Sequence, residues 1–439
     1  MLNSIINSFQ VFFNQLLRSR MIGAALPLFF IVSCSSLPYK TMKKEVWVHI
    51  QSEKFKEQHT GFLVVDLASN ETLINLNETK YFTPASTTKL FTLYTALKLL
   101  GDSLPSLKYR SENNKIIAMG TGDPSWLHPY FNNKTPIHFL ARYDSIHLFM
   151  DNYAGDKFGP GWTWEDYPYY FSPELSPLPL YGNVVALEIN DSLNVTPTFF
   201  SKNIIKKDRM PLRSWKENQF YLPNVKNDTL FVPFITSKEL TLKLLNGLIE
   251  KKIQIMDSFP SKNWRVLPGI PRDSVLKHML WKSDNFLAEQ LMLTCSSTLS
   301  DTLSFEKARN QILDGHLQAL RQKPRWVDGS GLSRYNLFTP ESMVAVLRKL
   351  HAETDSLRLF SLMPQWDFDG TIAIENSNKS SFILAKSGSM GNMYNLCGYL
   401  KTKSGRLLAF SFMNNHFRRP SKEVRRDIYD ILRLIHEAH

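Results

Sequence analysis

The chain has 439 residues, 43% hydrophobic, 12% aromatic and 21% charged, a balance that excludes a disordered or collagen-like polymer and leaves room for two or three domains. Its 52 Lys and Arg against 40 Asp and Glu give a net charge of +12, with the basic residues spread along the chain. No basic-aromatic ladder, zinc spacing or RNA-binding signature accompanies them, so nucleic acid is set aside as a partner; the charge reads as a solvated basic surface, or one suited to an anionic cell envelope.

The first predicted element is an export signal over residues 1–33. Arg18 and Arg20 precede the apolar run Met21–Val32, which is too short to span a bilayer comfortably. The sequence Ile31-Val32-Ser33-Cys34 resembles a lipobox, in which the cysteine becomes the lipidated N-terminus. That reading predicts a lipid-anchored protein on the periplasmic side of the envelope; the alternatives are an ordinary signal or a membrane anchor. Cys295 and Cys397 lie in apolar runs and read as small buried hydrophobes. Three scattered cysteines without a Cys-x-x-Cys pair predict neither a disulfide framework nor a metal site.

Two strands follow, Gly61–Leu67 and Thr72–Leu76, joined by Ala68-Ser-Asn-Glu71. Pro84-Ala-Ser-Thr-Thr-Lys89 then opens a helix whose apolar face is Leu90, Leu93, Tyr94, Leu97 and Leu100, with Gly101 as its stop. From residue 103 to 254 Pro, Asn, Tyr and Trp are frequent and strands look short, predicting a β-rich insertion with one late helix at Lys238–Lys251. Helical texture returns from about 256, including Trp281–Leu293. Three strand-like runs come next, Phe382–Lys386, Tyr394–Thr402 and Arg406–Met413, and a helix over Val424–Ala438 closes the chain with Ile428, Ile431, Leu432 and Ile435 on one face.

Within this frame, Ser86-Thr-Thr-Lys89 has the spacing of a nucleophile and its base. Positions i and i+3 share a helix face, so a hydroxyl and an amine can meet. A free hydroxyl is a poor nucleophile, and a lysine can activate it if burial lowers its pKa toward neutrality. The helix start adds N–H groups where an oxyanion would form. Ser274–Lys277 and Ser304–Lys307 repeat the spacing without the setting. Further on come Ser283-Asp284-Asn285, just before a helix, and Lys386-Ser387-Gly388 at the end of a strand; Lys403-Ser404-Gly405 instead suits a hairpin turn. His436-Glu-Ala-His439 is not a zinc-peptidase motif and reads as a solvated helix end, and no Gly-x-Ser-x-Gly elbow is present.

The ordered trio Ser-x-x-Lys, Ser-x-Asn and Lys-Ser-Gly resembles that of penicillin-binding proteins and serine β-lactamases. Together with Tyr81–Leu90, Gly120-Thr-Gly-Asp-Pro124 and Asp328–Asn336, it is similar to the D-alanyl-D-alanine carboxypeptidase/endopeptidase family, the class C low-molecular-mass penicillin-binding proteins. The resemblance covers residues 60 to 435. It implies an α/β (α+β) penicillin-binding, serine β-lactamase-like catalytic domain with a five-stranded antiparallel sheet, split into 34–102 and 255–439 by a β-rich insertion at 103–254. Ser283 follows Ser86 by 197 positions, which accommodates that insertion.

By the same resemblance Ser86 would be acylated and Lys89 its general base. Ser283 and Asn285 would relay protons and hold the substrate amide. Lys386 and Ser387 would bind the terminal carboxylate, Gly388 would let the substrate lie against the strand, and the N–H groups of Ser86 and Ser389 would form the oxyanion hole. Asp123 and Arg334 would read a zwitterionic side chain. The implied partners are peptidoglycan peptides and β-lactams, with no cofactor and no metal. Two rival readings are a serine β-lactamase, disfavoured by the long insertion and the absence of Glu-x-x-Leu-Asn between Ser86 and Lys386, and a catalytically idle binder, disfavoured by the intact Ser, Lys and Asn.

Overall fold

The computed structural model describes residues 39–258, 263–372 and 381–438. The export segment, Cys34 and His439 lie outside them. A five-stranded antiparallel sheet forms the centre, in the order Ile383–Met390, Met393–Lys401, Leu407–Asn415, His59–Asp66, Thr72–Leu76. The first two strands of the chain are thus completed by three strands more than 300 residues later. The predicted strand at 382 runs further than its composition suggested. Pairing with Met393–Lys401 carries it through Lys386, Ser387 and Gly388 to Met390, so the triplet sits inside the strand.

Both faces of this sheet are covered, as strand alternation requires. Phe62 and Val64 point to one side with Phe410 and Phe412, where helices Tyr39–Ile50 and Ser421–Ala438 bury Met42, Val46, Ile428, Ile431 and Ile435. Leu63 and Val65 point to the other, toward helices Lys89–Leu99, Asn285–Ser297 and Pro340–Glu353. Burying a side chain such as Phe412 contributes about 2–3 kcal/mol, so both layers are anchored by their apolar stripes. Cys295 and Cys397 are free, buried thiols in these layers.

Between the two halves the chain is β-rich. A second five-stranded sheet has the order Lys252–Met256, Ser145–Phe149, Lys115–Gly120, Ser103–Glu112, Arg265–Pro271. Its edge strand Arg265–Pro271 comes from beyond residue 254, so this sheet joins the insertion to the chain that follows it. A three-stranded sheet, Asp228–Pro233, Val184–Ile189 and Leu193–Thr196, packs into the same apolar cluster through Val185, Leu187 and Val232. The late helix is Lys238–Asn246, capped by the Ser237 side chain.

Candidate active site

Ser86 does not sit in an α-helix. Ala85–Thr88 is a 3-10 turn that leads directly into the α-helix Lys89–Leu99. In 3-10 geometry side chains three apart eclipse, which brings Lys89 Nζ to 2.9 Å from Ser86 Oγ. The two intervening threonines hold the turn: Thr87 Oγ1 donates to the Pro84 carbonyl at 2.8 Å and Thr88 Oγ1 to the Ala85 carbonyl at 2.9 Å. Ala85 has φ +49, a left-handed backbone that costs a non-glycine residue about 1–2 kcal/mol. From the sheet, the Asn415 side chain accepts from Thr83 N–H at 2.8 Å and Asn395 donates to Thr83 carbonyl at 2.9 Å.

Lys89 is fully buried and also donates to Asn285 Oδ1 at 2.7 Å and to the Ser330 carbonyl at 2.8 Å. Burial pulls its pKa down to about 8, against the opposing pull of Glu289, Asp284 and Asp328. Asn285 opens helix Asn285–Ser297, capped by Asp284, whose carboxylate accepts from Leu287 N–H at 2.8 Å. Ser283 before it has φ +57, and this left-handed kink separates it from the preceding helix Arg272–Trp281. Asn285 Nδ2 donates to the Phe171 carbonyl at 3.0 Å, tying the helix start to the insertion.

A Cβ added to Gly388 would lie 2.6 Å from the Pro84 carbonyl oxygen and 2.8 Å from Ser86 N, so only glycine lets the strand pass beneath the serine turn. Lys386 shares that face of the strand by the two-residue period. It is buried, its Nζ donates to the Ser387 carbonyl at 2.7 Å, and burial, then the nearby Lys89, hold its pKa well below the ordinary lysine range. Ser387 Oγ lies 3.3 Å from Thr371 Oγ1.

A cleft of about 580 Å³ opens over these groups. Ser86, Ser283, Asn285, Arg334 and Ser389 line it, while Lys89, Lys386, Ser387 and Gly388 lie outside its lining. Arg334 is exposed on the loop Asp328–Asn336. Buried Asp328 organises that loop, accepting from the N–H groups of Gly331 and Ser333, from Asn336 Nδ2 and from Trp162 Nε1.

Asp123 is not in the cleft. It is 2% exposed, accepts from Ser125 N–H at 2.9 Å and lies against Gly269, so it structures the turn that contains it. The acidic side chains that do line the cleft are Glu165, Asp166 and Asp284; Asp284 is committed to capping its helix, and Asp166 is held by Thr163 Oγ1 at 2.7 Å. Sequence reading also passed over Glu289, which accepts from Gly329 N–H at 2.9 Å and Ser330 N–H at 2.7 Å. Its position four residues after Asn285, on the same helix face, was the available signal. Ser274 is exposed on a helix surface, and Ser304 caps helix Phe305–Asn310, so neither duplicate of the spacing is a site. Among the described residues no group of three or more His, Cys, Asp or Glu side chains gathers as a metal site would.

Comparison with known proteins places the chain in a family. The description "D-Ala-D-Ala carboxypeptidase 3 (S13) family" belongs to a family model that matches residues 42–199 and 267–436. D-alanyl-D-alanine carboxypeptidase DacB of Haemophilus influenzae is 23% identical over 464 residues, covering 90% of this chain and 93% of that protein. Penicillin-sensitive carboxypeptidase A of Dictyostelium discoideum is 22% identical, covering 75% and 76%. The crystal structure of penicillin binding protein 4 (dacB) from Haemophilus influenzae superposes with a TM-score of 0.68 at 20% identity, over 88% of this chain and 99% of that one, a likeness of fold.

Proposed function

The chain belongs to the D-Ala-D-Ala carboxypeptidase 3 (S13) family and is a serine carboxypeptidase/endopeptidase, and we propose that Ser86 is its nucleophile, Lys89 its base and the stem peptides of peptidoglycan its substrate. The observation that carries the assignment is the buried Lys89 amine, 2.9 Å from a hydroxyl that opens onto the cleft. A base works best with a pKa near the operating pH, and burial brings that of Lys89 to about 8.

In this reading the Ser86 hydroxyl adds to the carbonyl carbon of the D-Ala-D-Ala bond as its proton passes to Lys89 Nζ. The oxyanion is received by the N–H groups of Ser86 and Ser389, fixed donors that need no reorganisation. Collapse expels the terminal D-alanine, or the cross-linked chain in the endopeptidase case. Its nitrogen takes the proton from Lys89 by way of Ser283. Water then adds to the ester and Ser86 is released. Asn285 holds the amide of the substrate and one hydrogen of Lys89. Lys386, Ser387 and Gly388 shape the strand against which the terminal carboxylate lies. Because Asp123 is buried and Asp284 caps its helix, the acidic side chains available to an ammonium are Glu165 and Asp166, with Arg334 for a carboxylate.

β-Lactams mimic the acyl donor, and penicillin binding protein 4 of Haemophilus influenzae has been crystallised with one. Fluorescent penicillin therefore tests the assignment. It labels the folded parent at Ser86, and Ser86→Ala abolishes labelling without unfolding; a label on Ser274 or Ser304 overturns it. The site acts in the cell envelope, with Cys34 carrying a lipid that holds the mature chain to a membrane. Among the described residues no helix is long and apolar enough to cross one. Cys34→Ala shifts the protein to the soluble fraction, and a mature N-terminus elsewhere refutes the anchor.

A further inference from the structure

Lys89 Nζ has three oxygen neighbours, and a neutral amine can donate to only two of them. It has two N–H groups and one lone pair. For the lone pair to face Ser86 Oγ at 2.9 Å, the hydrogens must go to Asn285 Oδ1 at 2.7 Å and to the Ser330 carbonyl at 2.8 Å. The Ser330 carbonyl is therefore half of the device that aims the base.

That carbonyl belongs to a loop and needs a reason to point where it does. The N–H groups of Gly329 and Ser330 donate to the two oxygens of one carboxylate, Glu289, at 2.9 and 2.7 Å. On the other side, Thr92 Oγ1 donates to the Gly329 carbonyl at 2.6 Å. The loop lies flush on the helix that carries Glu289, since a Cβ on Gly329 would meet the Ala288 carbonyl oxygen at 2.7 Å. Glu289 is 4% exposed and makes no contact with the cleft.

We infer that Glu289 is a positioning residue of the peptidase: its carboxylate grips two successive N–H groups and so aims the Ser330 carbonyl that turns the Lys89 lone pair toward Ser86. The inference rests on the assignment of Ser86 and Lys89 proposed above. Charge supports the geometry. Among the groups facing Lys89, Glu289 does most to hold its pKa up, followed by Asp284 at the cap of the same helix and Asp328 from the loop; Lys386 faces it from the sheet. Burial, then the neighbouring Asp328, push the Glu289 carboxyl up to about 8 against the pull of the Ser330 and Gly329 donors, and in its ionised form it also faces Tyr153.

The test follows second-order acylation by fluorescent penicillin across pH in the full chain, with melting temperatures alongside. Glu289→Gln keeps the size but has one acceptor oxygen and no charge. Its plateau rate falls about ten- to hundredfold, the loss that one charged hydrogen bond represents. Its acid limb moves to lower pH, because removing a negative neighbour lowers the Lys89 pKa. Glu289→Asp keeps the charge but is one methylene too short to reach both N–H groups, so its plateau falls while the limb stays. A structural role alone would lower the melting temperature of both variants and leave plateau and limb at parental values, which overturns the inference. If Glu289→Gln does not accumulate as folded protein, Glu289→Asp decides, and a parental plateau sinks the idea. A parent that penicillin does not label at Ser86 would instead overturn the underlying assignment.

Discussion

Gly331→Ala is a single methyl group whose effect can be worked out from the packing around Ser86. Gly331 has φ +83, and a Cβ there would fall 1.9 Å from the Ala85 carbonyl oxygen, 2.5 Å from its carbon and 2.8 Å from Thr88 Oγ1. Two of these are backbone atoms that cannot swing aside. Ordinary contact begins near 3.4 Å, so the loop and the serine turn must separate by about 1.5 Å. Ser86 is the next residue in that turn, and Lys89 is held from the loop side by Ser330. A misplacement of about 1 Å costs roughly 100-fold in rate, equivalent to about 2.7 kcal/mol. The left-handed backbone adds about 1 kcal/mol of instability of its own. Gly405 separates the two effects, having φ +89 with nothing within 4 Å of its would-be Cβ. Gly405→Ala is expected to lower the melting temperature slightly and acylate penicillin at the parental rate. Gly331→Ala is expected to acylate about 100-fold more slowly while still melting cooperatively. Acylation within threefold of the parent, with a melting temperature no lower than that of Gly405→Ala, would refute the packing argument.

Three other outcomes are expected. With Lys89 near pKa 8, its neutral fraction rises from about one in eleven at pH 7 to about ten in eleven at pH 9; penicillin acylation should rise about tenfold over that interval, and a flat profile would refute Lys89 as the base. Arg334→Ala should spare penicillin acylation yet lower kcat/KM about ten- to hundredfold on peptides that offer a side-chain carboxylate, and equal losses on both would place Arg334 in the loop's architecture instead. Arg358 grips Asp273 through two hydrogen bonds at 2.6 and 2.8 Å, and both side chains are about a third exposed, so solvent screening leaves the pair about 0.5–1 kcal/mol. Those bonds hold the Asp273 carboxyl below its ordinary value of 3.8, so the stabilisation is present above that value and is lost as pH falls through the lower folded one. The gap in melting temperature between the parent and Arg358→Ala should therefore be constant above about pH 4 and shrink as pH falls below it, and a gap that does not shrink would refute the ion pair.

The features of the fold that depend on periodicity were legible in the sequence. Strand Thr72–Leu76 and the closing helix follow from their apolar patterns, and both duplicates of the serine–lysine spacing fail in the structure for want of the right setting. The site was legible where one short segment holds both partners, as Ser86 and Lys89 do. It was not legible where partners meet only in three dimensions. A Gly-Asp-Pro segment looks the same whether its carboxylate faces a cleft or, as with Asp123, a turn and Gly269. Glu289 resembles any glutamate on a helix until the loop at Gly329 is laid against it. The 3-10 turn at Ala85–Thr88 also escaped prediction, because it depends on Asn395 and Asn415 holding Thr83 from strands at the far end of the chain.

The neighbours of Lys89 are drawn from residues 86, 285 and 330, and the strand beneath Ser86 from residue 388. In an unfolded chain Lys89 would keep its ordinary pKa of 10.5, and about one amine in three thousand would be neutral at pH 7. Ser86, the proposed nucleophile, is thus made early in synthesis but would acquire its reactivity only when the last strands close the sheet. Until then Ser86 stands beside a charged lysine, and on the assignment proposed above covalent capture of penicillin would report that folding has gone to completion.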